Sequence, residues 1–402
     1  MNILLICNKF PFPPRDGGSL ASYNMAKGLA EAGNRVDLLA MNTSKHYSSN
    51  GNPDNVIPGV NMIRKVYVDT SVSYTGLIIN LLFSSFPYNA RRFINLEFER
   101  ELDSMLLGTT YDIVQLEGLY LAPYVKNIRG NSDALIVYRA HNIEHIIWES
   151  YYRRGRNPIK KLYLGNLYKR IRSFEQNFVN EYDLLVSITN VDLEHFKRMG
   201  NKKPSIVAPF GMYPDKFPVC NHSDRGDYCL QYIGALDWMP NIDGLDWFIR
   251  KVWGKLKNNR KELRFVVAGR NAKSGYNKHL VKNRIDFRGE VENASEYLLE
   301  TGILVVPLFS GSGIRVRIIE AMLMGKPVIA TSFAVSGIPA ESGTHLLIAD
   351  DENAFTESVE MMLDDKEWAF RIGNNARDFV LNHYTNGIIT KELTAFYKKN
   401  LK

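Results

Sequence analysis

Short apolar runs alternate with longer amphipathic stretches along most of this chain. In the first half, residues 3–7, 36–40, 62–68, 113–116, 135–138, 184–188 and 206–208 read as buried strands. Between them the pattern predicts helices. One covers 19–32 and is stopped by Gly33 and Asn34, two lie within 74–107, and a long region covers 143–180, interrupted near Gly155 and Pro158. From 209 to 227 the alternation breaks at Pro209, Gly211, Pro214, Pro218 and Gly226, which reads as a connection between domains. It then restarts, with strands at 229–233, 264–268, 285–288, 303–307 and 328–331. Helices are predicted at 242–256, 294–300, 314–325, 352–364, 366–383 and 388–399. Strands that are apolar throughout, separated by helices, predict parallel sheets covered on both faces. The expected fold class is α/β: two doubly wound domains in tandem, 1–208 and 209–385, with a ligand crevice between them at the carboxyl ends of strands. Residues 386–402 are expected to form a C-terminal helix that packs back on the first domain.

Length changes this picture little: 402 residues exceed one compact core and suit two. With 45% hydrophobic and 23% charged residues the chain reads as globular and soluble. The net charge of +7 favours anionic partners. Cys7, Cys220 and Cys229 have no metal-ligand spacing and suit a reducing cytoplasm. The opening MNILLIC reads as a first strand, not a secretory signal. The longest other apolar stretch, 75–88, is shorter than the roughly twenty residues that span a bilayer. The expected location is the cytoplasm, with peripheral contact at the inner face of the membrane.

Candidate chemistry concentrates at 303–331. Gly311, Ser312 and Gly313 form a small-residue turn between a strand and a helix that starts near Ile314 and carries Arg315, Arg317 and Glu320. Helix-start N–H groups have no intrahelical partner, and the macrodipole favours an anion there. Two arginines in a first turn oppose that dipole unless a phosphate or diphosphate sits among them. A guanidinium pairs phosphate bidentately. The alternative is an ordinary strand–helix turn with solvated arginines. Glu320 stands in an apolar run, where an unpaired carboxylate is costly to bury; it reads as a ligand contact or as half of an ion pair. His141 follows the 135–138 strand at its carboxyl end, where doubly wound sheets present ligand-facing residues. The alternative is a capping or core histidine.

Taken in order, these pieces resemble the GT-B glycosyltransferases of the large retaining family 4. They are Gly17-Gly18 before the first helix, RAHNIEHIIWE around His141, APFGMYPDKF at 208–217 and YIGALDWMPNIDGLDWF at 232–248. VVAGR at 266–270, FRGEVEN at 287–293 and GSGIRVRIIEAMLMGKPVIAT at 311–331 complete the series. The resemblance implies two Rossmann-like domains facing an interdomain cleft, the first on the acceptor side and the second binding a nucleotide sugar. It implies transfer of a sugar from that donor to a glycan or lipid-linked acceptor, with retention of configuration and no required metal or other cofactor. Gly17, Gly18, Gly311, Ser312, Gly313, Ile314, Arg315 and Arg317 would line the donor diphosphate and sugar. Glu290, Val291 and Glu320 would meet the nucleoside, Glu320 through ribose hydroxyls. His141 and Glu320 would be the catalytic pair. Asp16 and Arg15 flank the glycine loop on the acceptor side, Asn142 and Glu144 are secondary candidates beside His141, and His145 reads as structural.

Two positions depart from the family pattern. A glutamate often stands eight residues before Glu320, where this chain has Ser312. The cations that usually follow the first strand of the second domain would fall near Ala235, Pro240 and Asn241, none of which is cationic. Two alternatives therefore stay open: a sugar-nucleotide-binding subunit without turnover, and a GT-B sugar-nucleotide epimerase. The segment 151–172 holds eight Lys or Arg residues and no Asp or Glu, interleaved with Tyr151, Tyr152, Tyr163 and Tyr168. It reads as a solvated helix face or as a contact for an anionic membrane surface, with 77–86, Arg91 and Arg92 as a second contact. No nucleic-acid-binding motif accompanies it. Asp350-Asp351 and Asp364-Asp365 are adjacent pairs near helix ends rather than a spaced metal-binding pair at a strand end.

Overall fold

The computed structural model describes residues 1–14, 16–48, 56–155, 157–220, 228–273, 275–300, 302–311 and 313–401. Contacts divide the chain into Met1–Met212 with Asn386–Lys402, and Tyr213–Thr385. In the first unit the strands are β1 Asn2–Cys7, β2 Arg35–Thr43, β3 Met62–Val68, β4 Ile113–Glu117, β5 Leu135–Ala140, β6 Leu184–Ser187 and β7 Ser205–Val207. They pair in parallel in the order β3-β2-β1-β4-β5-β6-β7. The order reverses between β1 and β4, the place where doubly wound sheets bind ligands.

Alternation along the strands fills both faces of this sheet. Ile3, Leu5, Leu38 and Ala40 join Leu29, Leu393 and Tyr397 in one cluster. Leu4, Ile6, Leu39 and Met41 join Phe98, Leu102 and Phe178 in another. The Gly17–Glu31 helix starts with a capping box: the Asp16 carboxylate accepts from the Ser19 N–H, and the Asp16 N–H donates to the Ser19 hydroxyl. The last helix, Asn386–Asn400, lies against it and buries Ile389, Leu393 and Tyr397, four residues apart, on one face. Their close approach requires Gly28, since a Cβ there would sit 2.2 Å from Asn386 Nδ2. The crossing is tied by polar groups: Asn386 Nδ2 donates to Asn24 O, the Asn386 N–H to Met212 O, and Asn24 Nδ2 to Gly211 O.

In the second unit the strands are β8 Cys229–Ile233, β9 Arg264–Ala268, β10 Asp286–Gly289, β11 Gly302–Val306, β12 Val328–Ala330 and β13 Leu347–Ile348. They are parallel in the order β10-β9-β8-β11-β12-β13, and the order reverses between β8 and β11. The helix expected over 242–256 begins earlier, at Met239 with Pro240 in its first turn, and runs through a π-helical segment, Ile249–Trp253, before Gly254–Asn259. Trp253 and Phe248 are buried there against Phe265. Among the described residues, no helix is long and apolar enough to cross a membrane.

Candidate active site

At the β8/β11 reversal the chain leaves β11 through Pro307 into the 309–315 turn. Gly311 takes φ +126° and Gly313 φ +73°. Gly311 is also fixed by space, because a Cβ would stand 2.7 Å from the Trp238 ring. The helix that follows is Val316–Leu323, two residues later than the sequence pattern suggested, so Arg315 is its N-cap and Arg317 lies in its first turn. The Arg315 side chain makes no capping hydrogen bond, and the Ile318 N–H turns back to Arg315 O; among the described residues this leaves the Val316 and Arg317 N–H groups as the donors that suit an anion. Arg315 is partly buried, with its guanidinium 5.8 Å from the Trp238 ring centre and 5.6 Å from Phe333. It donates to Gly313 O and so braces the turn. Burial lowers its pKa to about 10, which leaves it cationic at neutral pH. Arg317 Nη1 donates to Glu320 Oε2 at 2.5 Å. Glu320 is buried, and burial raises its pKa while Arg317 opposes that rise.

Ile314 lies between Gly313 and Arg315, partly buried, and Ser312 is outside the described residues. Glu290 is exposed and Val291 partly buried, just past the carboxyl end of β10. β10 is the edge strand, so both are separated from β11 by β9 and β8. A cavity of about 220 Å³ lined by Arg264, Asp286 and Trp253 lies at the amino ends of β9 and β10, the opposite end of the sheet.

In the first unit Gly17 and Gly18 open the Gly17–Glu31 helix. Their N-cap Asp16 pairs with Lys9 at 2.5 Å. Burial raises the Asp16 pKa, but Lys9 outweighs it and brings the value to about 2. A Cβ on Gly18 would lie 3.1 Å from Lys9 Nζ. Arg15 is outside the described residues. His141 lies in a bend between β5 and the Glu144–Arg154 helix, three residues before that helix starts. Its Nε2 is 2.8 Å from Glu117 Oε2. Glu117 ends β4 and was not among the sequence candidates. It also accepts from Arg139 Nη1 and Ser22 Oγ, each at 2.8 Å, and from Gln115 Nε2 at 2.6 Å. Burial opposes its ionisation, but Arg139 and then His141 prevail and hold it well below the usual carboxyl range. The sequence did carry a signal for it: two polar residues, Gln115 and Glu117, on the same face of a strand that is otherwise buried and apolar.

Beside this group, Glu175 accepts from the Glu144 and His145 N–H groups and from His145 Nδ1, and so caps the Glu144–Arg154 helix. Glu144 itself accepts from Tyr120, and burial, followed by Glu175, raises its pKa to about 7. Asn142 is partly buried in the bend next to His141.

Residues 228–365 match the family described as glycosyl transferases group 1. The chain is a glycosyltransferase with a group 1 domain on a GT-B fold. Over 99% of its length and 99% of the other chain it is similar to a sucrose-phosphate synthase from Thermosynechococcus elongatus, with a TM-score of 0.71 at 16% identity. HepE of Anabaena, solved in complex with UDP, matches with a TM-score of 0.67 at 13% identity over 99% of this chain and 100% of that one. In sequence it is 22% identical, over 99% of both chains, to an uncharacterized 44.6 kDa protein in the cps region of Klebsiella pneumoniae. Half of it is 26% identical to 57% of a Campylobacter jejuni α-1,4-N-acetyl-D-galactosaminyltransferase that acts on an undecaprenol-diphosphate-linked glycan.

The glycosyltransferase places its basic segment on two helices, Glu144–Arg154 and Pro158–Phe178. Leu164, Leu167 and Ile171 of the second helix are buried, while Lys160 and Lys161 are exposed. Arg153 pairs with Glu149, and Arg170 donates to the carbonyls of Asn80 and Leu81. Those carbonyls belong to the Tyr74–Phe83 helix, which is inverted in polarity: Asn80 is buried, whereas Ile78, Ile79, Leu82 and Phe83 are exposed, Phe83 by 82%. Ile159 and Leu162, beside Lys160 and Lys161, are about as exposed. Among the described residues, no group of three or more His, Cys, Asp or Glu is arranged to hold a metal ion.

Proposed function

We propose that this glycosyltransferase moves a sugar from a nucleotide-sugar donor to a glycan or lipid-linked acceptor, with retention of configuration, in the synthesis of a cell-surface polysaccharide or glycoconjugate. The observation that carries the donor reading is the helix start after β11, with Arg315 as its N-cap, Arg317 in its first turn and Glu320 paired to Arg317 one turn on. Breaking the anomeric bond leaves negative charge on a nucleoside diphosphate. Helix-start N–H groups and fixed guanidinium groups stabilise that charge without late reorganisation. In this reading Arg315 and Arg317 serve the diphosphate and Glu320 accepts from the ribose. Gly311, Ser312, Gly313 and Ile314 let the backbone approach the donor, and Glu290 and Val291 flank the base. Phosphate charge is met by these groups without a required metal.

The first unit carries the acceptor side, with Gly17 and Gly18 at the sugar and His141 as the group that orients or deprotonates a hydroxyl. UDP bound by the HepE structure and the undecaprenol-linked acceptor named for the Campylobacter enzyme support this donor and acceptor class. The cps-region relative supports a role in surface polysaccharide synthesis. The outward apolar residues of Tyr74–Phe83, with Ile159, Leu162, Lys160 and Lys161, support peripheral docking at an anionic inner membrane face, where a lipid-linked acceptor resides.

The test is thermal-shift screening against UDP-, GDP-, ADP- and dTDP-sugars, followed by hydrolysis and transfer assays with the best binder. A ligand that binds the native state raises the apparent Tm. One class of nucleotide sugar should stabilise the protein and be turned over. Stabilisation without turnover would leave a binding subunit, and no stabilisation by any member would refute the donor reading.

A further inference from the structure

The Glu117 carboxylate is the hub of a one-way network in the first unit. Tyr397 of the last helix donates to Gln115 Oε1, Gln115 Nε2 donates to Glu117 Oε1, and Arg139, Ser22 and His141 converge on Glu117 Oε2. An ionised carboxylate only accepts, so His141 must donate from Nε2. Of the partners in this network, His141 alone is more than a tenth exposed, with 19% of its side chain open against 0% for Arg139. Arg139 already balances the charge of Glu117, so the buried pair does not need an imidazole at its open end as a counter-ion.

We propose that Glu117 is a positioning residue for glycosyl transfer: it holds the His141 ring with the proton on Nε2, so that Nδ1 is the basic atom offered to a substrate hydroxyl. Arg139 keeps the carboxylate charged, and Gln115 and Tyr397 fix its second oxygen from behind. The inference rests on the reading of His141 as the group that meets the hydroxyl. An imidazole works as an acceptor only in the tautomer that leaves the facing nitrogen unprotonated, and a hydrogen bond to the other nitrogen sets that tautomer.

The experiment compares wild type, Glu117→Gln and His141→Gln by nitrogen NMR of histidine-labelled protein, UDP calorimetry and donor turnover. The signal lost in His141→Gln identifies His141. Wild type should show the Nε2–H tautomer for it. In Glu117→Gln that bias should weaken and kcat should fall by at least about tenfold, because an amide behind a working imidazole favours the wrong tautomer. UDP affinity should stay within about twofold, because the assigned diphosphate groups are elsewhere. Full turnover in His141→Gln would sink the histidine reading itself. Turnover lost in His141→Gln but retained in Glu117→Gln would sink only the positioning role. An Nδ1–H tautomer in wild type overturns the proposal even if Glu117→Gln fails to fold.

Discussion

Arg317 Nη1 lies 2.5 Å from Glu320 Oε2, one turn along the Val316–Leu323 helix, so the cation and the carboxylate form one unit. The pair explains how Glu320 can sit in an apolar helix with only 6% of its surface exposed. A buried carboxylate without a partner is far more costly than a paired one. It also orients Glu320 before any ligand arrives.

Removing Arg317 should therefore make Glu320 harder to ionise. Burial already raises its pKa above the ordinary 4.5, and Arg317 is what opposes the rise. A carboxyl raised in the folded state contributes stability below its unfolded pKa and loses it as pH climbs through the folded value. Arg317→Ala should accordingly be penalised more at pH 8 than at pH 5 in urea unfolding. A penalty equal at both pH values would show that the ion pair does not govern Glu320.

Tyr397→Phe removes one hydroxyl at the far end of the chain and strands Gln115 Oε1, which is fully buried. An unsatisfied buried acceptor costs about 1–3 kcal/mol. Urea unfolding should show a loss of that size. A change below about 0.5 kcal/mol would mean that the Tyr397 hydroxyl does not help to hold the last helix.

Much of the architecture was legible because its strands are short, apolar and buried on both faces. Residues 3–7 and 229–233 needed no context beyond their own composition. β13 was not legible: two residues, Leu347–Ile348, cannot show a period. The helices Asn190–Arg198 and Tyr276–Lys282, of nine and seven residues, are too short to show a clear period and were missed. In the site, the 311–320 turn announced itself by adjacent glycines and arginines. Glu117 showed only as a polar residue in an apolar strand, and its role was hidden because its partners lie 22 and 24 residues away on Arg139 and His141 and 95 away on Ser22. Parallel pairing of β4 with β5 brings Arg139 and His141 to it, and Ser22 arrives on the Gly17–Glu31 helix. The role of Arg315 as a brace under Trp238 was equally hidden, because Trp238 follows β8 and Arg315 follows β11, neighbours in the sheet but distant in sequence.

Docking at a membrane predicts a charge-dependent affinity. Each basic residue near an anionic surface contributes about 1 kcal/mol, and the attraction is screened as salt rises. Wild type should co-sediment with vesicles containing phosphatidylglycerol at low salt and release as salt is raised. Lys160→Glu with Lys161→Glu should reduce binding at least about tenfold, and Leu82→Ser with Phe83→Ser should reduce it independently. Equally poor binding to anionic and neutral vesicles would leave these residues as an ordinary solvated face.

The donor assignment is tested most directly by calorimetric titration of UDP, or of the best-binding nucleotide from the shift panel, into wild type, Arg315→Ala and Glu320→Gln. Circular dichroism confirms that each variant is folded. Arg315→Ala should weaken binding by about 1.5–3 kcal/mol, the scale of a hydrogen bond to a charged group, and Glu320→Gln should weaken it measurably. The same affinity in all three proteins would contradict a diphosphate site at the 311–320 turn.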